Sequence, residues 1–327
     1  MFNHVLIHGV GLLGASLGLA LKKHRLAATI TGVGRANSPS LDIAKSKGAI
    51  DHGSTDLAAA TQGLHLPANA KSPADLVILC TPIRQFQNAM RTLAPALAPN
   101  TLITDVGSTK ADVLQWAADL LPKTVHFIGS HPMAGSEKSG PDSARDNLYE
   151  NAVCLLCTPH HTAVNTAQKT PAADAAAFDQ IQSLWQTLGM RIISLPAEMH
   201  DQWVATISHL PHALAFALVN TASTHPEMLQ AVAGGFLDTT RVASSDASMW
   251  TDIFLTNKPA LLAALDAFSA DLTTLRTAIA TADEPAIRQF LTRAKSSRDT
   301  LLAQRQAAGL STRSNHPAPS ASSENTE

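Results

Sequence analysis

The sequence predicts an α/β protein in which a domain built on a parallel β-sheet precedes a second, all-helical domain. The first 110 residues alternate short apolar runs with stretches of helical apolar spacing, a rhythm typical of a parallel sheet covered by helices. A glycine-rich turn at residues 9–14 directly follows the first apolar run. After Pro196 the strand signals stop, and stretches rich in Ala and Leu follow. These observations give the fold class and the order of the domains.

Seven apolar runs are predicted as strands, because each is short and bounded by polar or glycine-containing segments. The first four alternate with helical stretches, so we expect them to lie parallel, and the later three to extend and close the sheet. The predicted strands are Val5–His8, Thr29–Val33, Leu76–Cys80, Leu102–Asp105, Val125–Ile128, Ala152–Cys157 and Arg191–Leu195.

Helical spacing predicts helices on both sides of Pro196. They are Ser16–His24, Leu41–Lys47, Asp174–Leu188, Trp203–Asn220, Pro226–Val232 and Pro259–Arg276. The predicted domains are therefore residues 1–197, which form the dinucleotide-binding sheet domain, and residues 198–310, which form the helical domain. Residues 311–327 are rich in Ser, Pro, Asn and Glu with little to bury, and are predicted to be a disordered tail.

Composition limits the classes of function. Hydrophobic residues make up 45% of the chain and charged residues 15%, which suits a globular protein. The formal net charge is -2 without a run of Lys or Arg, so neither nucleic acid nor an anionic membrane is an expected partner. The apolar run Val5–Ile7 is too short for a signal peptide, and no run of 18 apolar residues follows, which favours a cytoplasmic location.

The three cysteines suit a reducing compartment better than a disulfide framework. Cys154 and Cys157 are separated by two residues, a spacing that also occurs in redox motifs. They lie on one predicted strand, where residues three apart face opposite sides. We therefore interpret them as two buried small side chains.

Residues 9–14 read Gly-Val-Gly-Leu-Leu-Gly, between the first predicted strand and the first helix. In this context Gly9 would allow the tight turn, Gly11 would let the backbone approach a pyrophosphate, and Gly14 would let helix and strand pack closely. The unpaired N–H groups at the helix start would bind the phosphates. The pattern predicts a Rossmann-type dinucleotide site.

The residue type at the end of the second strand determines the preference between NAD and NADP. An acidic residue there would bind the ribose 2′-hydroxyl, whereas a basic residue accommodates a 2′-phosphate. The sequence after Val33 is Gly-Arg-Ala-Asn-Ser, without an acid, and this favours NADP over NAD; a solvated Arg35 with NAD bound through backbone contacts remains the alternative. The predicted cofactor-binding residues are Gly9, Gly11, Leu12, Leu13, Gly14, Arg35, Ser38 and Thr81.

The segment Ile128–Gly140 follows a predicted strand, at the edge where open α/β sheets bind their ligands. His131 lies there between Ser130 and Pro132, a poor position for a core residue and a good one for contact with a substrate. An imidazole with an ordinary pKa of about 6.5 can be neutral and accept a proton. We therefore predict His131 as a general base, with a buried structural histidine as the alternative.

Four segments resemble the prephenate/arogenate (cyclohexadienyl) dehydrogenase family, in the same order along the chain. They are residues 105–110 (DVGSTK), 130–137 (SHPMAGSE), 208–212 (SHLPH) and 234–241 (GGFLDTTR). The resemblance covers roughly residues 4–305. It implies a Rossmann-type domain followed by a helical dimerisation domain, with the active site between them, in a homodimer. It also implies oxidative decarboxylation of prephenate or arogenate with NAD(P)+, giving 4-hydroxyphenylpyruvate or tyrosine and CO2.

The resemblance also implies roles for individual residues. His131 is similar to the catalytic histidine that takes the ring hydroxyl proton. Ser108 is similar to the serine that helps orient that histidine and the hydroxyl. Arg241 resembles the arginine that binds a substrate carboxylate, for which a guanidinium is well shaped. The remaining residues expected at the substrate are His200, His209, His212 and Glu137.

Other interpretations remain at these positions. His209 and His212 could be metal ligands, but no third ligand follows at metal-site spacing, so no metal is expected. Arg241 could form a surface salt bridge, Ser108 could cap a helix, and Trp250 with Phe254 is favoured as helix packing.

Two other functions remain as alternatives. A dehydrogenase of the wider hydroxyacid type commonly uses a lysine in its helical domain, and residues 200–220 contain none. A non-catalytic dinucleotide sensor would have no reason to keep Ser108, His131 and Arg241 together.

Overall fold

The computed structural model describes residues 1–68, 71–135, 138–157 and 172–307. The chain divides into two compact units, Met1–Ala264 and Leu265–Glu327. The first unit contains the whole sheet and every residue of the candidate site. In the second, the described residues form the greater part of one helix and all of another. Glu137 and the predicted tail at 311–327 lie outside the described residues, and the domain bounds at 197 and 310 stay a prediction.

The first unit is built on an eight-stranded sheet with the order β3-β2-β1-β4-β5-β6-β7-β8. Strands β1 to β6 are parallel, β7 is antiparallel to β6, and β8 is parallel to β7. The predicted α/β class with a helical C-terminal part is confirmed. The strands are β1 Phe2–His8, β2 Ala27–Val33, β3 His52–Ser54, β4 Leu76–Leu79, β5 Leu102–Asp105, β6 His126–Pro132, β7 Val153–Cys157 and β8 Arg191–Ser194.

Two features of the sheet differ from the simplest expectation of added parallel strands. Strand β3 has three residues and no apolar run, so apolar pattern could not find it. The reversal at β7 has a topological cause, because a parallel neighbour is normally reached through a helical crossover. Between Pro132 and Val153 the described residues contain only the 3-10 turn Pro141–Ser143, and the chain returns antiparallel.

The strand register brings the candidate site residues to one edge. His8 at the end of β1 lies beside Leu79 of β4, and Leu79 lies beside Asp105 of β5. The residues that follow these three strands therefore emerge together at the carboxyl edge of the sheet, where open parallel sheets bind their ligands. Strand β6 continues past its pairing with β5 to His131 and Pro132.

All regular structure after β8 in the described residues is helical. The helices are α1 Leu12–Lys23, α2 Ser40–Ser46, α3 Leu57–Thr61, α4 Phe86–Leu93, α5 Ala111–Leu120, α6 Ala172–Thr187, α7 Ala197–Val204, α8 Leu210–Ala222, α9 Gly234–Thr240, α10 Ala247–Thr256, α11 Lys258–Ala280 and α12 Glu284–Ala307. None of the described helices is long and apolar enough to cross a membrane.

Two predicted helices differ in detail. The stretch predicted as one helix from Trp203 is interrupted by a π-helical turn at Ala205–His209, directly before α8. Pro211 offers no N–H to the carbonyl four residues earlier, so a regular helical ladder cannot run through it. Residues Pro226–Ala231 form a 3-10 helix, since the apolar run is short and Gly234 and Gly235 follow.

The sheet has an apolar core on each face. One contains Val5, Ile7 and Cys154, and the other contains Leu6, Val77 and Cys157. Cys154 and Cys157 thus face opposite sides of β7, as predicted, and both are buried free thiols.

Candidate active site

The glycine-rich turn has the shape that a dinucleotide requires. Gly9 has φ +102°, and a Cβ there would lie 2.7 Å from the carbonyl carbon of Cys80. A Cβ on Gly14 would lie 2.0 Å from the carbonyl oxygen of Gly9, so helix and turn pack too closely for a side chain. Gly11 differs, since a Cβ there would meet nothing within 4 Å. This open space precedes the start of α1, which no described side chain caps, and the residues present fit a bound pyrophosphate.

A cavity of about 490 Å³ joins this turn to the predicted catalytic residues. Residues from the first turn of α1, from the loops after β4 and β5, from β6 and from α10 line it. Among its lining residues are Gly11, Leu12, Leu13, Thr81, Ser108, His131, Lys138, His209, Met249 and Trp250. The carbonyl of Leu13 accepts a 2.8 Å hydrogen bond from the hydroxyl of buried Tyr149, which anchors one wall.

Several polar atoms around this cavity lack partners. In the described part of the chain, five buried side-chain polar atoms make no hydrogen bond, and three of them belong to lining residues: Thr81 Oγ1, His209 Nε2 and Trp250 Nε1. A buried polar atom without a partner costs about 1–3 kcal/mol. Their concentration at one cavity indicates a polar ligand that would supply the missing bonds.

His131 lies at the end of β6, and its ring contacts a second histidine. Its Nδ1 atom is 2.9 Å from Nε2 of His200, and Nδ1 of His200 is 2.7 Å from Oδ1 of Asp201. All three residues are buried. Burial, and then the nearby His200, hold the pKa of His131 well below its usual range, so the imidazole is neutral at physiological pH. A neutral imidazole can accept a proton.

A buried ion pair shapes the loop that carries Ser108. Lys110 Nζ lies 2.6 Å from Asp105 Oδ2, and both side chains are fully enclosed. The same ammonium donates to the carbonyls of Gly107 and Thr109, at 2.8 and 2.9 Å. Asp105 in turn accepts hydrogen bonds from the backbone N–H groups of Gly107 and Ser130. The pair therefore fixes the loop of Ser108 to the end of β6, one residue before His131.

His209 and His212 surround Trp250 from α8 and the turn before it. The rings of His212 and Trp250 stack with centroids 3.7 Å apart, and Trp250 also meets Phe254 edge-on at 5.6 Å. The predicted packing of Trp250 with Phe254 is therefore present, although Trp250 also lines the cavity. His209 Nδ1 lies 3.1 Å from Nδ2 of Asn257. Burial lowers the pKa of His209 to about 4, so it is neutral.

Other predicted residues lie away from the cavity wall. His200 is buried behind His131 and is not among the described lining residues, so its contact with the substrate stays a prediction. Arg241 is exposed and is not a lining residue, but its charge adds to burial, the larger cause, in lowering the pKa of His212. Arg35 is exposed after β2, and Ser38 bonds Ser40 at 2.9 Å. No group of His, Cys, Asp and Glu among the described residues could hold a metal ion.

Sequence reasoning missed several residues of this region. Lys138 lines the cavity and is its only basic residue other than histidine among the described lining residues. His8 lines a second cavity of about 670 Å³, with Asp56 after β3 and Arg84 and Asn88 near α4. His8 looked like an ordinary strand residue, and burial lowers its pKa to about 4. Asp201 had no signal of its own beyond its position after His200.

Comparison with known proteins places this site in a family. Residues 17–194 match the domain described as prephenate dehydrogenase, nucleotide-binding domain, and residues 196–293 match prephenate dehydrogenase, dimerization domain. The chain is 35% identical to a cyclohexadienyl dehydrogenase of Zymomonas mobilis, over 86% of this chain and 90% of that protein. It is 34% identical to a prephenate dehydrogenase of Bacillus subtilis, over 92% of this chain and 76% of that protein.

A solved structure agrees with these relatives. The crystal structure of prephenate dehydrogenase from A. aeolicus, in complex with hydroxyphenyl propionate and NAD+, superposes with a TM-score of 0.80. Its sequence is 32% identical, and the match covers 92% of this chain and 99% of that one.

Proposed function

The chain belongs to the prephenate dehydrogenase family of NAD(P)-dependent oxidoreductases, and from this membership we propose that it oxidises and decarboxylates prephenate, arogenate or both. The observation that carries the proposal is the single cavity in which His131 and Ser108 meet the dinucleotide turn. A hydride acceptor and a proton acceptor are thereby brought to one substrate. The product would be 4-hydroxyphenylpyruvate or tyrosine, together with CO2.

The substrate class is a ring with a hydroxyl-bearing carbon at one end and a quaternary carbon bearing a carboxylate at the other. The dinucleotide, when bound, accepts the hydride from the hydroxyl-bearing carbon. His131 accepts the hydroxyl proton as that hydride leaves, and Ser108 orients the hydroxyl. The resulting carbonyl withdraws the electrons of the carboxylate C–C bond, CO2 leaves, and the ring becomes aromatic. The protonated His131 then returns its proton to the phenolate oxygen.

The remaining polar groups of the cavity would hold the substrate. Asn257 can only donate through Nδ2, so His209 Nδ1 is the acceptor of that contact and His209 carries its proton on Nε2. This N–H is buried without a partner, which fits donation to a substrate oxygen. Arg241 would bind a carboxylate from its position near His212, and Lys138 adds positive charge at the cavity wall. Glu137, outside the described residues, is proposed for the ionic network at the entrance.

The dinucleotide would lie over the carboxyl edge of the sheet. Gly9, Gly11, Leu12, Leu13 and Gly14 would hold the pyrophosphate, with Thr81 nearby. The second cavity, with His8 at its wall, is the space we assign to the adenosine half. We favour NADP, because no acidic residue occupies 34–41 and because Arg35 and Ser38 both offer groups that bind a 2′-phosphate.

We also propose a homodimer. The match to a dimerization domain supports it, and so do large apolar side chains exposed on the helices after β8. Ile207 is 64% exposed, and Leu237 and Leu255 are each 56% exposed. Sedimentation equilibrium of the purified chain should give twice the mass of one chain.

One assay tests the proposed activity. The purified protein is incubated with prephenate or arogenate and with NAD+ or NADP+, and the absorbance of the reduced cofactor is followed together with CO2 release. Reduction with stoichiometric CO2 supports the proposal. Reduction with an ordinary 2-hydroxy acid, but with neither cyclohexadienyl acid, would favour the hydroxyacid-type alternative, and no reduction with any of these substrates would favour a dinucleotide sensor.

A further inference from the structure

We propose that His200 and Asp201 are positioning residues that fix the proton of His131 on Nδ1 and leave its Nε2 as the acceptor in the cavity. The inference rests on the proposed function for its chemical meaning. The arrangement itself belongs to the free protein and can be measured without substrate.

Both carboxyl oxygens of Asp201 accept hydrogen bonds. Its Oδ1 accepts a 2.8 Å hydrogen bond from the backbone N–H of Lys110, and its Oδ2 accepts a 2.9 Å bond from the N–H of Ala111. Backbone N–H groups can only donate, so both oxygens must accept here. The two amides begin α5, whose N-terminal end also favours a negative charge. Burial raises the pKa of this carboxyl, and the two amides oppose that shift. Asp201 is therefore assigned as a carboxylate.

The Asp201 carboxylate fixes the tautomer of His200. An ionised carboxylate has no proton to donate, so the 2.7 Å contact requires the proton on Nδ1 of His200. The pKa of buried His200 lies well below its usual range, which keeps this ring neutral. A neutral imidazole that carries its proton on Nδ1 has a lone pair on Nε2. His200 Nε2 is therefore a hydrogen-bond acceptor.

His200 in turn fixes the tautomer of His131. Nδ1 of His131 lies 2.9 Å from that lone pair, so Nδ1 must be the donor and must carry the proton. In neutral His131 the lone pair then lies on Nε2, the nitrogen left for the cavity. The hydrogen bonds from His131 to His200 and from His200 to Asp201 can each be donated in one direction only. The reason is that the series ends at the Asp201 carboxylate, which cannot donate. The base is thus set in the required tautomer before any substrate binds.

The charges around His131, His200 and Asp201 favour protonation of His131 during proton transfer. The groups that face His131 are His200, His209, Lys110 and, through His200, Asp201. His209 is neutral, and the charge of Lys110 is balanced by Asp105 at 2.6 Å. Asp201 therefore carries the one unbalanced charge of this cluster. When His131 gains its second proton, that negative charge stabilises the imidazolium through the Nδ1–H bond to His200.

The test combines two substitutions of His200 with a spectroscopic measurement. His200→Phe keeps an aromatic ring but removes the acceptor, whereas His200→Gln retains an amide oxygen that can accept. Nitrogen-15 spectra of histidine-labelled protein assign the protonated nitrogen of His131 in the absence of substrate, and the His131→Asn variant identifies its signals. His4→Phe serves as the matched control, because His4 is equally buried but lies at the start of β1.

We expect the wild-type spectrum to show His131 protonated on Nδ1 and unprotonated on Nε2. His200→Phe should abolish this preference and lower kcat by at least about tenfold with substrate KM changed less than about threefold, since orienting a catalytic imidazole affects the transition state rather than binding. His200→Gln should recover most of the rate, and His4→Phe should leave kcat unchanged even if it lowers the melting temperature.

A wild-type His131 protonated on Nε2 in the free protein would overturn the inference, whatever the activity. So would a His200→Phe variant with the wild-type rate and tautomer. If His200→Phe fails to fold, the wild-type spectrum and His200→Gln still decide. If the wild type oxidises neither cyclohexadienyl acid, the proposed function fails while the spectrum tests the tautomer independently.

Discussion

Nδ1 of His131 lies 2.9 Å from Nε2 of His200, and this contact determines which ring nitrogen of His131 can receive a proton. The hydrogen bond occupies one nitrogen, and the imidazole lines the cavity at the dinucleotide turn.

Replacement of His131 by Asn should remove the proton acceptor without enlarging the cavity greatly. Because general bases contribute about 10² to 10⁴ in rate, kcat should fall at least about 10²-fold, with little change in substrate KM. Steady-state kinetics with prephenate and arogenate measure both constants. A loss of activity smaller than about fivefold would remove His131 from this role.

Gly11→Ala should impair cofactor binding without destabilising the protein. A Cβ at Gly11 meets no atom of the chain, yet it would project into the space assigned to the pyrophosphate. Loss of even one phosphate hydrogen bond raises Kd by about tenfold, so calorimetry should show at least that change. Gly53→Ala is the control, because its Cβ would make only ordinary contacts with Leu41. Unchanged cofactor affinity in Gly11→Ala would contradict the assignment.

Arg35→Ala should lower kcat/KM for NADP by about tenfold and leave kcat/KM for NAD nearly unchanged, since only the former has a 2′-phosphate for the guanidinium to bind. Arg91→Ala, also exposed but on α4, should affect neither cofactor. Initial rates with both cofactors test the prediction. A wild-type preference for NAD above tenfold would reject the preference for NADP.

Arg241→Ala should mainly raise substrate KM. A lost charge-assisted hydrogen bond is worth about 1.5–3 kcal/mol, so KM should rise by about one to two orders of magnitude. Arg288→Ala, which removes only an exposed pair with Glu284, is the control. An unchanged KM in Arg241→Ala would instead favour the alternative from the sequence, in which Arg241 forms a surface salt bridge.

Stability should fall as the pH is lowered from 7 to 5. Seven described histidines have a pKa below the ordinary 6.5, and in each the chief cause is burial. Below pH 6.5 these histidines are therefore protonated more in the unfolded chain than in the native state. Each contributes a slope of up to about 1.4 kcal/mol per pH unit. They are His4, His8, His65, His131, His200, His209 and His212.

Three carboxyls with a raised pKa act in the opposite direction, since the native state then binds protons more readily than the unfolded chain; they are Asp105, Asp112 and Asp201. The histidines outnumber them, so the net slope should favour neutral pH. Urea unfolding at pH 7, 6 and 5 gives the slope directly. His209→Asn should flatten it, and a free energy of unfolding that rises toward pH 5 would contradict the prediction.

Much of the sheet was predictable because β1, β4 and β5 each contain a short buried apolar run, at Val5–Ile7, Leu76–Leu79 and Leu102–Ile103. The glycine turn was also predictable, since Gly9 and Gly14 are required by backbone contacts that any larger residue would break. His131 and Ser108 were found from the strand ends and the family segments. In contrast, β3 has no apolar signal, and α12 is too polar to stand out, with no buried side chain among those described.

The residues behind His131 whose contacts the sequence did not reveal act through long-range hydrogen bonds. Asp201 bonds the backbone of Lys110, 91 positions earlier, and His200 bonds His131, 69 positions earlier. No local pattern encodes such pairs, so His200 was expected at the substrate rather than behind the base. Lys110 had a place in a family segment but no role, because its enclosure with Asp105 depends on the completed sheet.

The origin of Asp201 and His200 in α7 matters for engineering. A chimera can combine the dinucleotide-binding half of one family member with the helical half of another. Such an exchange would replace not only substrate recognition but also the pair that sets the tautomer of the catalytic imidazole, here called the priming pair. A graft made after Pro196 would carry its own priming pair, and it would succeed only where that pair fits the recipient's Lys110 and Ala111 amides. A graft made after Asp201 would keep the native pair, and is the better point at which to recombine specificities.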